Sequence, residues 1–250
     1  MSNILLTIAI NQYAVAPLRG CINDSNNIAN VLKEKGFEVT SLHDDQATKQ
    51  NIIDSLTKIA LSLKAGDHFI LHYSGHGSQI PCYRNDEEDG LTEILCPFDL
   101  INKDGTWSQN YITDDEISSI LNSIESDVVI ECFFDCCHSG TATRDLMPNV
   151  VYRYIQPNNN VEPRDIVKFN PGKSNKIICW SGCRDDQTSA DAYIDNTFQG
   201  AFTAALLKNN LSGTREQLYN NVVAFMQQNR FTQAPQLFCT DDMKVKAVIL

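Results

Sequence analysis

The stretch His68-Phe-Ile-Leu-His-Tyr-Ser-Gly-His-Gly77 shows the pattern of the fold most clearly, because an apolar run ends there in a turn closed by two glycines. Similar short apolar runs occupy residues 4–10, 37–42 and 128–135. Amphipathic segments lie between them. This alternation predicts an α/β fold, in which parallel strands are joined by crossover helices.

Apolar residues recur at helical spacing after the first and second of these runs and before the last one, which predicts three crossover helices. The residues expected to face the core are Ile28, Val31 and Leu32, then Ile52, Leu56, Ile59 and Leu63, and then Ile117, Ile120, Leu121 and Ile124. Thr113 precedes the third helix and predicts a capping box with Glu116. A long polar loop containing Asn85-Asp-Glu-Glu-Asp-Gly90 is expected before that helix.

The second half of the chain begins with a polar stretch, residues 141–174, which is typical of a linker. After it we predict a strand at 176–180, a helix at 200–208, a helix capped by Thr214 and Gln217, and edge strands at 235–239 and 245–250. The last long helix is expected to bury Leu218, Val222 and Phe225. We therefore expect one domain over residues 1–250, with segment 1–145, a linker at 146–174 and segment 175–250.

Composition excludes several classes of function. The 250 residues include 20 Lys and Arg against 31 Asp and Glu, a net charge of −11, and 42% are hydrophobic. Such a chain fills a core rather than staying disordered, and its acidity argues against a non-specific nucleic-acid binder. The apolar run at 4–10 follows Met-Ser-Asn directly and is too short for a signal peptide or a membrane span, so we expect a cytoplasmic protein without membrane contact.

The nine cysteines include no Cys-x-x-Cys pair, which argues against a zinc ribbon or a thioredoxin-type centre. A disulfide scaffold is not expected in a reducing compartment. Most of these thiols are therefore interpreted as buried apolar groups.

Two turns carry the candidate chemistry. The third strand ends in His72-Tyr-Ser-Gly-His-Gly77 and the fourth in Asp135-Cys-Cys-His-Ser-Gly140. Because ligands of open α/β sheets bind at the carboxyl ends of the strands, the two turns are expected side by side. A cysteine nucleophile needs a nearby base, so we predict His76 as the base and Cys137 as the nucleophile. The backbone N–H groups of Gly77 and Cys137 are the candidate oxyanion donors.

Structural roles compete with these assignments. The Cys-Cys-His turn could hold a metal, although its spacing is not zinc-like. His72 lies within the strand and is interpreted as a packed residue, His138 as a structural residue of the turn, and Cys136 as part of the wall. The other rival is a different hydrolase, and a serine hydrolase is disfavoured because the chain has no Gly-x-Ser-x-Gly elbow.

With these two turns the chain resembles the caspase-like clan of cysteine peptidases, and within it the metacaspases. Three further blocks extend the resemblance over almost the whole chain: Leu18-Arg-Gly-Cys-Ile-Asn-Asp24, Asp185-Asp-Gln-Thr-Ser-Ala-Asp191 and Gln233-Ala-Pro-Gln-Leu237. The first strand comes at once, so the resemblance is to type I-like or prokaryotic members without a prodomain. It implies a three-layer sandwich, in which helices cover both faces of a mostly parallel sheet, and an endopeptidase with a His76–Cys137 dyad.

The resemblance also implies cleavage after Arg or Lys, and the residues agree with it. Cys21, Asp24, Ser74 and Asp135 are the candidate S1 residues. Paired carboxylates match a guanidinium through charge-assisted hydrogen bonds and repel an aspartate. Asp24 could instead cap the first helix, and Asp135 could orient its turn.

Many metacaspases need calcium, and Asp114, Asp115 and Asp145 match the positions of the family's ligands. Acidic residues in the first turn of a helix are also expected from the helix dipole alone. The family often has an Asp-Glu pair where this chain has Thr92-Glu93, so one ligand is absent or replaced by Glu93. No organic cofactor is implied.

The linker and its neighbour at 176 contain basic residues at which the enzyme could cut itself: Arg144, Arg153, Arg164, Lys168, Lys173 and Lys176. The expected partners are protein or peptide substrates, and the resemblance favours a monomer. The alternative function is a catalytically silent caspase-like module that binds partners through the same groove.

Overall fold

A six-stranded sheet forms the centre of the protein in the computed structural model, which describes residues 1–81, 91–124, 127–137, 151–157, 177–184 and 187–249. Its strands are β1 (Asn3–Ala9), β2 (Glu38–His43), β3 (His68–Ser74), β7 (Val129–Asp135), β9 (Ile177–Ser181) and β12 (Gln236–Phe238). Their order is β12-β9-β7-β3-β1-β2, and only β12 is antiparallel to its neighbour. The predicted α/β fold with a mostly parallel sheet is confirmed.

Helices cover both faces of this sheet. They are α1 (Cys21–Glu34), α2 (Lys49–Ser62), α3 (Asp114–Asn122), α4 (Ala201–Lys208), α5 (Arg215–Gln228) and the short α6 (Asp241–Lys244). Buried residues of α2 and α3 join one apolar core cluster, while those of α1, α4 and α5 join a second. The three-layer arrangement expected from the resemblance is therefore present.

Local signals placed the starts of α3, α4 and α5 correctly. The capping boxes of Thr113 with Glu116 and of Thr214 with Gln217 are both formed. On α5, Leu218 and Val222 are fully buried as predicted, and Phe225 is half-buried and packs against the same core. Met226, which was not predicted, is 2% exposed. Leu218, Val222 and Met226 follow one another at intervals of four residues, which keeps all three side chains on the face that meets the core.

Two small sheets flank the end of β3 and were not predicted. One contains β4 (Gly77–Pro81), β5 (Leu91–Leu95) and β6 (Ile112–Thr113), in the region read as a polar loop. The other contains β8 (Val151–Tyr152), β10 (Ala190–Ile194) and β11 (Thr197–Gly200). The first of these strands lies within the predicted linker. Residues 85–90 and most of the linker lie outside the described residues.

The predicted edge strand at 235–239 is confirmed in shorter form as β12, but the one at 245–250 is wrong. Val245 ends α6, and the backbone beyond it bonds to the start of α5 instead of to the sheet edge. The Arg215 N–H donates to the Lys246 carbonyl at 3.0 Å, and the Val248 N–H donates to the Gly213 carbonyl at 3.2 Å. Because these backbone groups are already paired, they do not extend the sheet.

Strand register brings the two motif-bearing turns together. In the parallel pair of β3 and β7, Ser74 lies opposite Asp135, the last residue of its strand. The segments that follow therefore leave the sheet at neighbouring points of one edge. Within the described parts of the chain, no helix has both the length and the apolar character needed to cross a membrane.

Candidate active site

His76 lies in the turn between β3 and β4, where three contacts hold its ring and its peptide. The ring nitrogen Nε2 lies 2.7 Å from the carbonyl oxygen of Ala16. The His76 N–H donates to the Tyr13 hydroxyl at 2.9 Å, and the His76 carbonyl accepts from the Tyr73 hydroxyl at 2.7 Å. A carbonyl oxygen only accepts, so Nε2 carries the proton in the neutral ring and Nδ1 is the basic atom.

The surroundings of His76 suit a general base. Nδ1 is buried and makes no hydrogen bond of good geometry, although the nearby Arg153 backbone favours the protonated ring. Burial lowers the pKa of His76 to about 4, which keeps the ring neutral at pH 7. Glycine is required one residue earlier, because a Cβ on Gly75 would lie 2.7 Å from the Tyr13 hydroxyl and 2.8 Å from that of Tyr73.

Cys137 lies two residues beyond β7 and is fully buried. Its sulfur accepts a short hydrogen bond from the Ser189 N–H and lies 3.4 Å from the Ser189 carbonyl. The Cys183 thiol interacts with this sulfur and lies 3.5 Å from the Cys136 carbonyl. Burial raises the pKa of the Cys136 thiol far above its usual range, which suits its predicted place in the wall.

The two candidate oxyanion donors converge on one oxygen atom. The Gly77 N–H donates to the Arg153 carbonyl at 3.0 Å, and the Cys137 N–H donates to the same oxygen at 3.3 Å. Two backbone donors on one carbonyl form the arrangement that stabilises negative charge during acyl transfer. The Arg153 carbonyl oxygen therefore occupies the position between the two candidate donors.

The side chain of Arg153 fills a fully buried pocket beside this point. Its Nη1 atom lies 2.7 Å from Ser74 Oγ and 3.2 Å from Asp135 Oδ1. Its Nη2 atom lies 2.7 Å from Asp24 Oδ2 and 2.9 Å from Asp191 Oδ1. Each of these four partners is itself buried, so the guanidinium meets three carboxylates without water between them.

Six residues surround the Arg153 side chain, and we call them the Arg153 pocket. They are Cys21, Asp24, Ser74, Asp135, Asp191 and Gly200. Asp24 accepts from the Gly200 N–H at 2.9 Å and from the Ser74 hydroxyl at 2.8 Å. Burial raises the pKa of the Asp24 carboxyl to about 7, although the Arg153 guanidinium acts in the opposite direction. Burial also raises the pKa of the Cys21 thiol, so this side chain is neutral at pH 7.

Helix N-termini hold the other two carboxylates. Asp135 Oδ2 accepts from the N–H of Thr203 at 2.9 Å, in the first turn of α4. Asp191 accepts from the N–H groups of Arg19 and Gly20 at 2.8 and 3.0 Å, at the start of α1. Such donors stabilise negative charge in the absence of solvent.

Two glycines leave room for this arrangement. A Cβ on Gly200 would lie 2.5 Å from Arg153 Nη1 and would also overlap the Asp135 carboxylate. A Cβ on Gly20 would overlap Asp191 and lie 2.7 Å from the backbone N of Gln199. A larger residue at either position therefore requires neighbouring atoms to move.

The backbone around Arg153 is extended and paired on both sides. Before it, β8 pairs antiparallel with β10, with Tyr152 opposite Ala190. The Arg153 N–H continues this pairing by donating to the Ser189 carbonyl at 3.1 Å. After it, Tyr154 forms a parallel bridge with Gly77. Residues 151–155 therefore cross the site as an added strand, the arrangement in which many proteins bind an extended peptide.

The predicted metal ligands are not part of this cluster. Asp114 and Asp115 lie in the first turn of α3, and Asp145 lies outside the described residues. Glu93 lies on β5 and accepts from Gln79 at 3.4 Å. Within the described ranges, no three or more His, Cys, Asp or Glu side chains are grouped closely enough to hold a metal ion.

His72 is held by two hydroxyls, Thr7 Oγ1 at 2.9 Å from Nδ1 and Thr203 Oγ1 at 3.4 Å from Nε2. Burial lowers the pKa of this histidine to about 4, which agrees with a packed, neutral residue. His138 lies outside the described residues.

Sequence reasoning did not place three contributors in the pocket. Asp191 closes the quoted block at 185–191, but no local signal distinguishes it from the other acidic residues there. Gly200 precedes a helix and gives no sign that side-chain atoms approach it. Arg153 was one of six basic candidates for a cut, and nothing in its neighbours along the chain indicated that it fills the pocket.

The chain is similar over most of its length to known proteins. A family model described as Caspase domain matches residues 2–245. Metacaspase-1B of Neurospora crassa is 31% identical over 94% of this chain and 66% of its own length. Metacaspase-1 of Kluyveromyces lactis is 30% identical over 95% of this chain and 66% of its own. The chain thus spans about two thirds of these relatives.

A solved structure is similar over nearly the whole chain. The crystal structure of protein GSU0716 from Geobacter sulfurreducens aligns with a TM-score of 0.75 and 30% identity. The alignment covers 98% of this chain and 97% of that one.

Proposed function

The chain belongs to the caspase-domain family of cysteine peptidases, and from that premise we propose that it is an endopeptidase that cleaves after arginine and, less well, after lysine. One observation carries the proposal. The Arg153 carbonyl receives two backbone N–H groups, while the guanidinium of the same residue meets the carboxylates of Asp24, Asp135 and Asp191. A substrate arginine before the cut would make the same contacts.

In this mechanism His76 Nδ1 takes the proton of the Cys137 thiol, and the thiolate attacks the carbonyl carbon of the substrate arginine. The negative charge that develops on the carbonyl oxygen is stabilised by the N–H groups of Gly77 and Cys137. The proton on His76 then passes to the leaving amine, and an acyl-enzyme remains. Water hydrolyses this thioester with His76 as the base, and the thiol is restored.

The shape of the Arg153 pocket favours arginine over lysine. The two terminal nitrogens of the guanidinium bind separate partners, with Asp135 and Ser74 on Nη1 and Asp24 and Asp191 on Nη2. A lysine ammonium has a single charged nitrogen, which cannot contact both the partners of Nη1 and those of Nη2 in this geometry. An aspartate at this position would be repelled by the carboxylates.

We also propose that the Arg153–Tyr154 bond is the first substrate of the enzyme. The segment around it already lies in the site as an added strand, and its arginine is 0% exposed. While it stays there, no other arginine can enter the pocket. Cutting the bond, followed by departure of the segment, would open the site.

Calcium stimulation is a separate proposal. Asp114 and Asp115 offer the hard oxygen ligands that calcium prefers, with Asp145 as the third expected ligand. The described residues alone do not group three or more such ligands. A cytoplasmic location, a monomeric state and protein substrates with a basic residue before the cut complete the proposal.

The test is hydrolysis of fluorogenic peptides that end in Arg, Lys or Asp, by the wild type and by Cys137→Ala and His76→Ala. We expect cleavage in the order Arg, Lys, Asp and none in either variant. Wild-type protein that cleaves no peptide, with or without calcium, would contradict the enzyme and favour the silent binding module.

A further inference from the structure

The chain beyond Arg153 remains bound for two more residues. The Ile155 N–H donates to the Gly77 carbonyl at 3.2 Å, and the Ile155 carbonyl accepts from the Ser78 hydroxyl at 2.6 Å. Both backbone polar groups of Ile155 are thus held by β4. These contacts involve only backbone atoms of the bound segment, so any peptide that crosses the site in the same way can form them.

The side chains after the arginine alternate in burial. Tyr154 is half-buried, Ile155 is 7% exposed and Gln156 is exposed. Ile155 belongs to the same apolar core cluster as Ile80 of β4 and Ile94 of β5. The bound strand therefore places two side chains in buried surroundings, a cationic one before the cut and an aliphatic one two residues after it.

We propose that the site contains a subsite for the second residue after the cut, S2′, which selects an aliphatic side chain. This inference rests on the proposed function, because it treats residues 151–155 as bound in the manner of a substrate. An aliphatic side chain gains by leaving water in this cluster. A charged one would be buried among apolar groups without a partner, which is strongly unfavourable.

The subsite bears on which proteins are cut. Fluorogenic substrates with a leaving group directly after arginine do not reach it, so they measure only the pocket before the cut. Protein substrates reach it whenever the cut bond lies in an extended segment. We therefore expect preferred targets to carry Ile, Val or Leu two residues after the arginine.

The experiment uses the wild-type chain of 250 residues and internally quenched peptides built on Val-Tyr-Arg-Tyr-Xaa, with Ile, Gly or Asp at the last position. We expect kcat/KM for the Ile peptide to exceed that for the Gly peptide by about tenfold or more and that for the Asp peptide by roughly a hundredfold. Equal rates for all three, with cleavage after Arg retained, would overturn the subsite alone. Failure to cleave these peptides and the short Arg substrate would overturn the proposed function and the subsite with it.

A variant of the protein tests the backbone contact independently. Ser78→Ala removes the hydroxyl that donates to the Ile155 carbonyl. Ser78 also interacts with the Tyr154 side chain, so the peptides for this variant carry Phe instead of Tyr after the arginine. We expect the ratio of kcat/KM for the Ile peptide to that for the short Arg substrate to fall by roughly threefold to tenfold, as for one hydrogen bond. An unchanged ratio would show that Ser78 does not bind peptides at this position and would contradict the proposed register.

Discussion

Replacing Asp24 by Asn tests the charge of the Arg153 pocket with little change in shape. Asp24 contributes one charge-assisted hydrogen bond to the guanidinium, at 2.7 Å, and it accepts from Gly200 and Ser74 as well. An Asn retains one acceptor but must turn its NH₂ group toward either the guanidinium or one of those donors. Asp135 and Asp191 remain, so the substrate cation keeps two of its three carboxylates.

The expected loss follows from the contact that is removed. A hydrogen bond to a charged group contributes about 1.5–3 kcal/mol, and each 1.4 kcal/mol corresponds to about tenfold. We therefore expect kcat/KM for an Arg peptide to fall by roughly tenfold to a hundredfold in Asp24→Asn.

The assay compares the Arg peptide with one carrying citrulline, which has nearly the same shape without the charge. Asp24→Asn should reduce the ratio of kcat/KM for the Arg peptide to kcat/KM for the citrulline peptide, because only the Arg peptide loses an ion pair. Asp54→Asn, on the exposed face of α2, is the matched control and should change neither rate. An equal loss for both peptides, or a loss below about threefold for the Arg peptide, would refute the role of Asp24 in recognition.

Other perturbations address the pocket wall, protonation and calcium. Gly200→Ala should reduce Arg-peptide cleavage to background, because its Cβ would lie 2.5 Å from the guanidinium, and substantial activity would contradict the pocket assignment. As the pH falls below 7, KM for Arg peptides should rise, since protonated Asp24, with its pKa of about 7, no longer attracts the cation; this rise should be absent in Asp24→Asn. The kcat value should persist below pH 6, because burial holds the pKa of His76 near 4 and the base stays neutral, and a fall of kcat near pH 6.5 would contradict that. Chelation should lower the rate if calcium acts through Asp114 and Asp115, and Asp114→Asn with Asp115→Asn should then remove the response; equal rates with calcium and chelator would contradict the proposal.

The elements that could be predicted from sequence are those with strong local signals. Parallel strands follow from continuous apolar runs, and both capping boxes follow from residues three apart. The strand expected at 245–250 failed because its backbone groups are paired with the start of α5, a long-range event that no local pattern contains. The strands β4, β5 and β8 were missed because each is extended only through hydrogen bonds to a partner strand, which no local pattern contains.

The residues of the candidate site also differ in whether a local sequence signal indicates them. The sequence predicts His76 and Cys137 as base and nucleophile because each follows a strand in a glycine-bearing turn. The pocket contacts join residues far apart in the chain: Arg153 with Asp24 across 129 positions and with Asp191 across 38. The resemblance implied Asp24 and Asp135 as carboxylates of the pocket, but only the folded chain shows which three carboxylates meet one guanidinium.

Intact-mass analysis with amino-terminal sequencing of the purified chain, incubated with calcium, tests the central claim most directly. We expect the wild type to yield two fragments, with a new amino terminus at Tyr154, while Cys137→Ala stays intact and Arg153→Gln is not cut at this bond. A wild type that remains whole, or a Cys137→Ala chain cut at the same bond, would contradict the claim that Arg153 lies in the active site as a substrate.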